Sequence, residues 1–215
     1  MEQKLVFKNT NFLHLVKDSL HLNRYDIYPS DVLKLEELYI KDINFWPADL
    51  DTLYQFKNLK HLCFRQERGI IDLKTFTPLK SLVFLEVGGD YYSHSTTIIN
   101  IGALKELPNL KKLRIEDFGE VDLFEIGNLS NLTFLDVGWG KEAHNAEKIG
   151  LLKNLNDLYL TEMDINTLNF LDSLDKTTYV DLSYLKIKKP FDIKLLQRFE
   201  NRDYDDLMDW NENFY

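Results

Sequence analysis

The chain has 215 residues, 44% of them hydrophobic, and 35 Asp and Glu against 26 Lys and Arg give a formal net charge of −9. That is apolar material for one large domain or two small ones, and it excludes a disordered chain on composition. The acidity argues against nucleic acid or an anionic membrane as principal ligand, because both call for a clustered basic surface, and the lone Cys63 excludes a disulfide-stapled scaffold.

In chain order, the amino terminus from Met1 to Thr10 shows neither the continuous apolar stretch nor the small-residue cleavage site of a signal peptide. No run of 18 apolar residues occurs anywhere, so we expect a soluble, cytoplasmic chain. Leu13-His14-Leu15 alternates as a strand does, and Leu13 stands 25 residues before Leu38. Residues 1–31 therefore read as an amino-terminal cap or a degenerate first coil.

From Val32 onward one apolar spacing, Leu-x-x-Leu-x-x-Leu-x-apolar, returns again and again. Its copies are Val32, Leu35, Leu38, Ile40; Phe56, Leu59, Leu62, Phe64; Leu79, Leu82, Leu85, Val87; and Leu107, Leu110, Leu113, Ile115. They continue with Leu129, Leu132, Leu135, Val137, then Leu152, Leu155, Leu158, Leu160, and a late copy keeps Leu174, Val180 and Leu182 with Thr177 at its second position. With the third position as marker, the steps are 24, 23, 28, 22, 23 and 22 residues, which makes seven coils over residues 32–188.

This pattern resembles the leucine-rich repeat family in its short class of about 22 residues per coil, familiar from bacterial proteins such as the internalins. The resemblance implies an α/β solenoid: a curved arc with a parallel β-sheet on the concave face and loops or short helices on the convex face. It implies little about function, because the family is defined by architecture. The residues lead to the same fold independently. A Leu-x-apolar pair has period 2 and marks a short strand with one buried face, and one such strand per coil buries its leucines only when coils stack. The family usually places Asn five residues after the marker, yet here those positions are Ile43, Glu67, Asp90, Phe118, Gly140, Met163 and Leu185. We therefore expect irregular turns.

The 28-residue step hides an insertion of about six residues within Gly88–Thr97, and insertions in solenoids fall in loops, often on the binding side. Its Tyr91-Tyr92 either reaches a partner or packs back on the scaffold. Residues 189–215 read as a carboxyl-terminal cap, in which Ile193, Leu196 and Phe199 follow Pro190 at near-helical spacing. Within it, residues 203–215 hold five acids and no base, interleaved with Tyr204, Trp210, Phe214 and Tyr215. Those aromatics either complete the cap or form a partner-binding arm.

No enzyme motif is present: there is no Gly-x-Ser-x-Gly, phosphate loop, His-Glu-x-x-His or Cys-x-x-Cys, and the five histidines are scattered. Cys63 follows a marker leucine and so faces the concave side, where it reads as a small strand residue rather than a nucleophile. We expect no catalytic residue, no cofactor and no metal.

Alternation places the residues one before, one after and three after each marker on the concave face, with the fourth-after residue at its rim. The early coils present mixed charge: Glu37, Tyr39, Lys41 and Asp42, then His61, Cys63, Arg65 and Gln66. The middle ones present Phe84, Glu86, Gly88 and Gly89, then Lys112, Arg114, Glu116 and Asp117. The last three present Phe134, Asp136, Gly138, Trp139; Asp157, Tyr159, Thr161, Glu162; and Tyr179, Asp181, Ser183, Tyr184, with no base among them. Tyr and Trp supply rigid contact area while carboxylates select Lys or Arg on a partner. We therefore expect Phe134, Asp136, Trp139, Asp157, Tyr159, Glu162, Tyr179, Asp181 and Tyr184 to bind a protein with a basic surface, on a monomeric, non-catalytic module. An inhibitor such as a toxin-immunity protein fits that surface, and an adaptor or regulatory subunit of a cellular enzyme is the alternative.

Overall fold

The computed structural model describes residues 2–41, 49–89 and 94–204. Asp42, Tyr91-Tyr92 and the acidic tail from Asp205 onward lie outside the described residues.

Near the amino terminus the Asn9 side chain accepts from the Phe12 amide at 3.0 Å and starts helix α1 (Thr10–Ser19). Phe12 and Val16, four residues apart, are its fully buried residues, so the local period is helical. The strand reading of Leu13–Leu15 is corrected: those three residues lie within α1. Next come α2 (Pro29–Val32), β1 (Glu37–Ile40), α3 (Leu50–Leu53), β2 (His61–Arg65), β3 (Gly69–Asp72), β4 (Phe84–Gly88) and β5 (Thr96–Ile99). The chain continues through β6 (Lys112–Glu116), β7 (Glu120–Asp122), β8 (Phe134–Gly138), β9 (Glu142–His144), β10 (Asp157–Thr161) and β11 (Asp164–Ile165). Then follow β12 (Tyr179–Asp181), β13 (Lys186–Ile187), α4 (Lys194–Gln197) and β14 (Arg202–Asp203). α1 packs against β1, and no helix among the described residues is long and apolar enough to cross a membrane.

The marker residues stack in one row. Leu38, Leu62, Leu85, Leu113, Leu135, Leu158 and Val180 pair in register along a parallel sheet of order β1-β2-β4-β6-β8-β10-β12-β14. Each is essentially inaccessible to solvent, as are Ile40, Phe64, Val87, Ile115, Val137, Leu160 and Leu182 two positions on. Period-2 alternation thus directs one face of every strand into the core and leaves the other open. The eighth strand, β14, was not expected: residues 202–203 pair with Val180 and Asp181.

The turns are regular where irregularity was expected. From Leu62 to Leu158, the residue four after each marker donates its amide to the carbonyl three after the next marker: Gln66 to Gly88, Gly89 to Glu116, Asp117 to Gly138, Trp139 to Thr161 and Glu162 to Ser183, at 3.0–3.3 Å. Backbone groups are satisfied by this continued ladder rather than by an Asn side chain. Of the fifth-after positions, Phe118, Met163 and Leu185 face the core and are buried, whereas Glu67 is exposed. An amide ladder does exist, displaced to four residues before the marker. Asn58, Asn109 and Asn154 donate to the carbonyls of Leu33, Lys80 and Ser130 at 2.8–3.0 Å, and Ser81 Oγ does the same to Lys57. Each such bond ties one coil to the previous one.

On the other side of the turn, the short strands form a second parallel sheet, β13-β11-β9-β7-β5-β3. It buries Ile71, Ile98, Val121, Ala143 and Ile165. Short 3₁₀ turns, such as Ile101–Glu106 and Ala146–Leu151, then return the chain to the next coil. The short helical turns expected outside the main sheet are therefore present, with a strand ladder in addition. Leu135→Ala should cost about 2–5 kcal/mol in urea unfolding, because it opens a cavity in a stack fixed on both sides.

Candidate interaction site

The open face of the eight-stranded sheet carries the side chains one before and one after each marker. At its centre, charges from different strands neutralise one another. Arg65 on β2 ion-pairs with Glu116 on β6 and with Asp117 beyond it. Between β2 and β6 lies Gly88 of β4, in register with both Arg65 and Glu116. A Cβ there would stand 2.3 Å from the Glu116 carbonyl oxygen and 3.2 Å from an Arg65 guanidinium nitrogen, so glycine keeps the path open. Arg114 donates to Asp136 at 2.8 Å and to Glu86 at 3.0 Å, and His61 Nε2 lies 2.6 Å from the other Glu86 oxygen.

Two guanidiniums therefore serve four carboxylates. Burial pushes Glu86 up, but hydrogen bonds from His61 and Arg114 outweigh it and hold the carboxyl below its usual value. For Asp136 burial prevails over Arg114, and with Glu116 and Asp181 nearby its carboxyl is pushed up from 3.8 to about 6. Asp117 is also raised, by burial before any other cause, against the opposing pull of Arg65.

An aromatic row crosses the same face. His61 stacks on Phe84 at 4.5 Å and meets Tyr39 edge-on at 5.1 Å. Phe84 is 6.1 Å from Phe134, Phe134 is 5.4 Å from Tyr159, and Tyr159 is 5.4 Å from Tyr179. The Arg114 guanidinium sits 5.8 Å from both the Phe84 and Phe134 rings, within cation–π reach.

The structure brings Phe134, Asp157, Tyr159, Tyr179 and Asp181 together, since Asp157 is in register between Phe134 and Tyr179, and Asp181 beside Tyr159. Asp136 is in register with Tyr159 but already has a partner. That residue is 8% exposed and committed to Arg114, so its place among the solvent-facing acids is corrected: a base from the neighbouring strand covers it. Trp139, Glu162 and Tyr184 occupy the rim with φ of 55°, 49° and 58°, a left-handed conformation that bulky residues seldom adopt. Trp139 is 37% and Tyr184 58% exposed. Cys63 is buried, and burial raises its thiol pKa, the reverse of what a nucleophile needs. Among the described residues no group of three His, Cys, Asp or Glu side chains is arranged to hold a metal.

Superposed on solved structures, the chain matches an internalin from Listeria monocytogenes (inlF) with a TM-score of 0.56, at 16% identity over 94% of this chain. The fold is an internalin-type leucine-rich repeat. The chain spans 65% of that internalin's length. Internalin C2 of the same organism overlays with a TM-score of 0.44 at 16% identity, covering 85% of this chain and 94% of that one. No protein-family model matches the sequence, and no curated protein does. The likeness concerns the repeat architecture, whose concave side is the open sheet face described above.

Asp136 gives that face a pH signature. Its folded carboxyl titrates above the ordinary 3.8, so as pH rises the unfolded chain releases this proton first and the fold loses relative stability. Between about pH 4 and 6, the unfolding free energy of the parent protein should fall relative to that of Asp136→Asn. Urea titrations at a series of pH values check this, and a constant difference across the window contradicts it.

Proposed function

We propose that this leucine-rich repeat is a non-catalytic module that binds a partner protein through its concave face, and that the partner presents a basic surface there. The observation that carries this reading is the aromatic row from Tyr39 to Tyr179, whose six rings follow one another at 4.5–6.1 Å over a span of seven strands. Rigid aromatic area on a flat sheet is what interface cores use. The basic preference rests on Asp157, Glu162 and Asp181: the ion pairs on this face all gather around Arg65, Arg114 and His61, and those three acids enter none among the described residues. An inhibitor that masks a basic protein, as a toxin-immunity protein does, is the form of this role that the charge favours. An adaptor or regulatory subunit of a cellular enzyme would use the same face.

The rim provides a test that leaves the core intact. Asn tolerates a left-handed backbone better than Trp or Tyr, so Trp139→Asn with Tyr184→Asn should leave the unfolding midpoint unchanged or slightly raised. The same double variant should lose about tenfold or more in partner capture from native cell extract, read by mass spectrometry. Capture undiminished by the double variant would overturn the concave-face reading.

A further inference from the structure

The centre of the concave face shows how this protein itself seats an arginine. Arg114 lies 5.8 Å from each of two rings, Phe84 and Phe134, while its nitrogens reach two carboxylates, Glu86 and Asp136. Two strands further on, the same composition recurs. Tyr159 and Tyr179 stand 5.4 Å apart with ring planes inclined at 45°, and Asp157 and Asp181 are in register beside them. Among the described residues, however, no cation stands over either tyrosine ring, and neither aspartate enters an ion pair. Asp181 accepts only from the amide and hydroxyl of Ser183. The nearby Arg202 is held by the Phe199 carbonyl and the Tyr204 hydroxyl.

Residues 42–48, 90–93 and 205–215 contain neither Lys nor Arg, so none of these segments can supply the cation. Burial first, and then the nearby carboxylates, raise both phenol pKa values, with Arg114 opposing them at Tyr159. A guanidinium suits the place better than an ammonium: it is planar, stacks on a ring, and directs donors to carboxylates on both sides at once.

We infer that Tyr159, Tyr179, Asp157 and Asp181 form a seat for an arginine side chain of the partner protein. This rests on the concave-face reading and adds which residue of the partner enters, and where. The seat repeats in trans what Arg114 does in cis.

The test is an NMR titration of the full chain, labelled at tyrosine, with three blocked peptides that differ at one position: acetyl-Gly-Arg-Gly-amide, its lysine analogue and its citrulline analogue. The arginine peptide should shift the Tyr159 and Tyr179 ring signals with a millimolar midpoint. The lysine peptide should bind several-fold more weakly and the uncharged citrulline peptide at least tenfold more weakly. Asp157→Asn with Asp181→Asn keeps the acceptor that Ser183 uses and should weaken the arginine peptide at least fivefold. Tyr159→Phe with Tyr179→Phe preserves the ring faces and should stay within twofold. Citrulline or lysine binding as tightly as arginine, or an unaffected Asn variant, would overturn the seat. If the rim variant loses partner capture while the arginine peptide shifts nothing, the seat falls and the concave-face reading stands. The opposite pattern overturns the concave-face reading, and with it the assignment of the bound arginine to a partner protein.

Discussion

The face depends on one constraint: each marker residue stacks on the next in strict register, from Leu38 to Val180. A strand of three to five residues cannot bury its leucines alone, so coils add side by side, and the amide ladder of Asn58, Asn109 and Asn154 with Ser81 holds them at that spacing. Register then decides which surface residues meet. A one-residue slip would turn every outward side chain into the core, whereas the observed pairing lays Cys63, Glu86, Arg114 and Asp136 in one line across four strands.

That line divides the concave face by charge. In the middle, Arg65 and Arg114 are enclosed by Glu86, Glu116, Asp117 and Asp136, so the acids there are largely answered from within. Towards the carboxyl-terminal strands the rings continue but the bases stop, and Asp157, Glu162 and Asp181 face outward with no cation of their own. The net charge of −9 is thus less informative than its distribution: partly buried pairs fix the centre, while unanswered acids beside tyrosines define the part suited to a basic partner.

Much of the solenoid was legible in the sequence because a repeat states its register many times. The marker positions, the open-face residues and the rim all follow from one spacing. What escaped lies between coils or outside the repeat. Arg114 and Asp136 are 22 residues apart on adjacent strands, so a coil-by-coil reading credits Asp136 to solvent when Arg114 covers it. The amide ladder is written in the sequence as Asn before Leu59, Leu110 and Leu155, four residues before the marker instead of the family's position five after it. Leu13–Leu15 alternates over three residues, too few to outweigh the helical pairing of Phe12 with Val16. The second sheet has strands of two to four residues, short enough that one buried Val, Ile or Ala per coil was its only trace.

The division of charge is tested most directly by comparing two neutralised positions in urea unfolding at neutral pH. Arg114→Leu strips the central carboxylates of a shared partner and should destabilise the fold by at least about 2 kcal/mol. Asp157→Asn removes an acid that has no cation and should change stability by no more than about 0.5 kcal/mol. Equal losses at the two positions, or a larger loss at Asp157, would contradict the account.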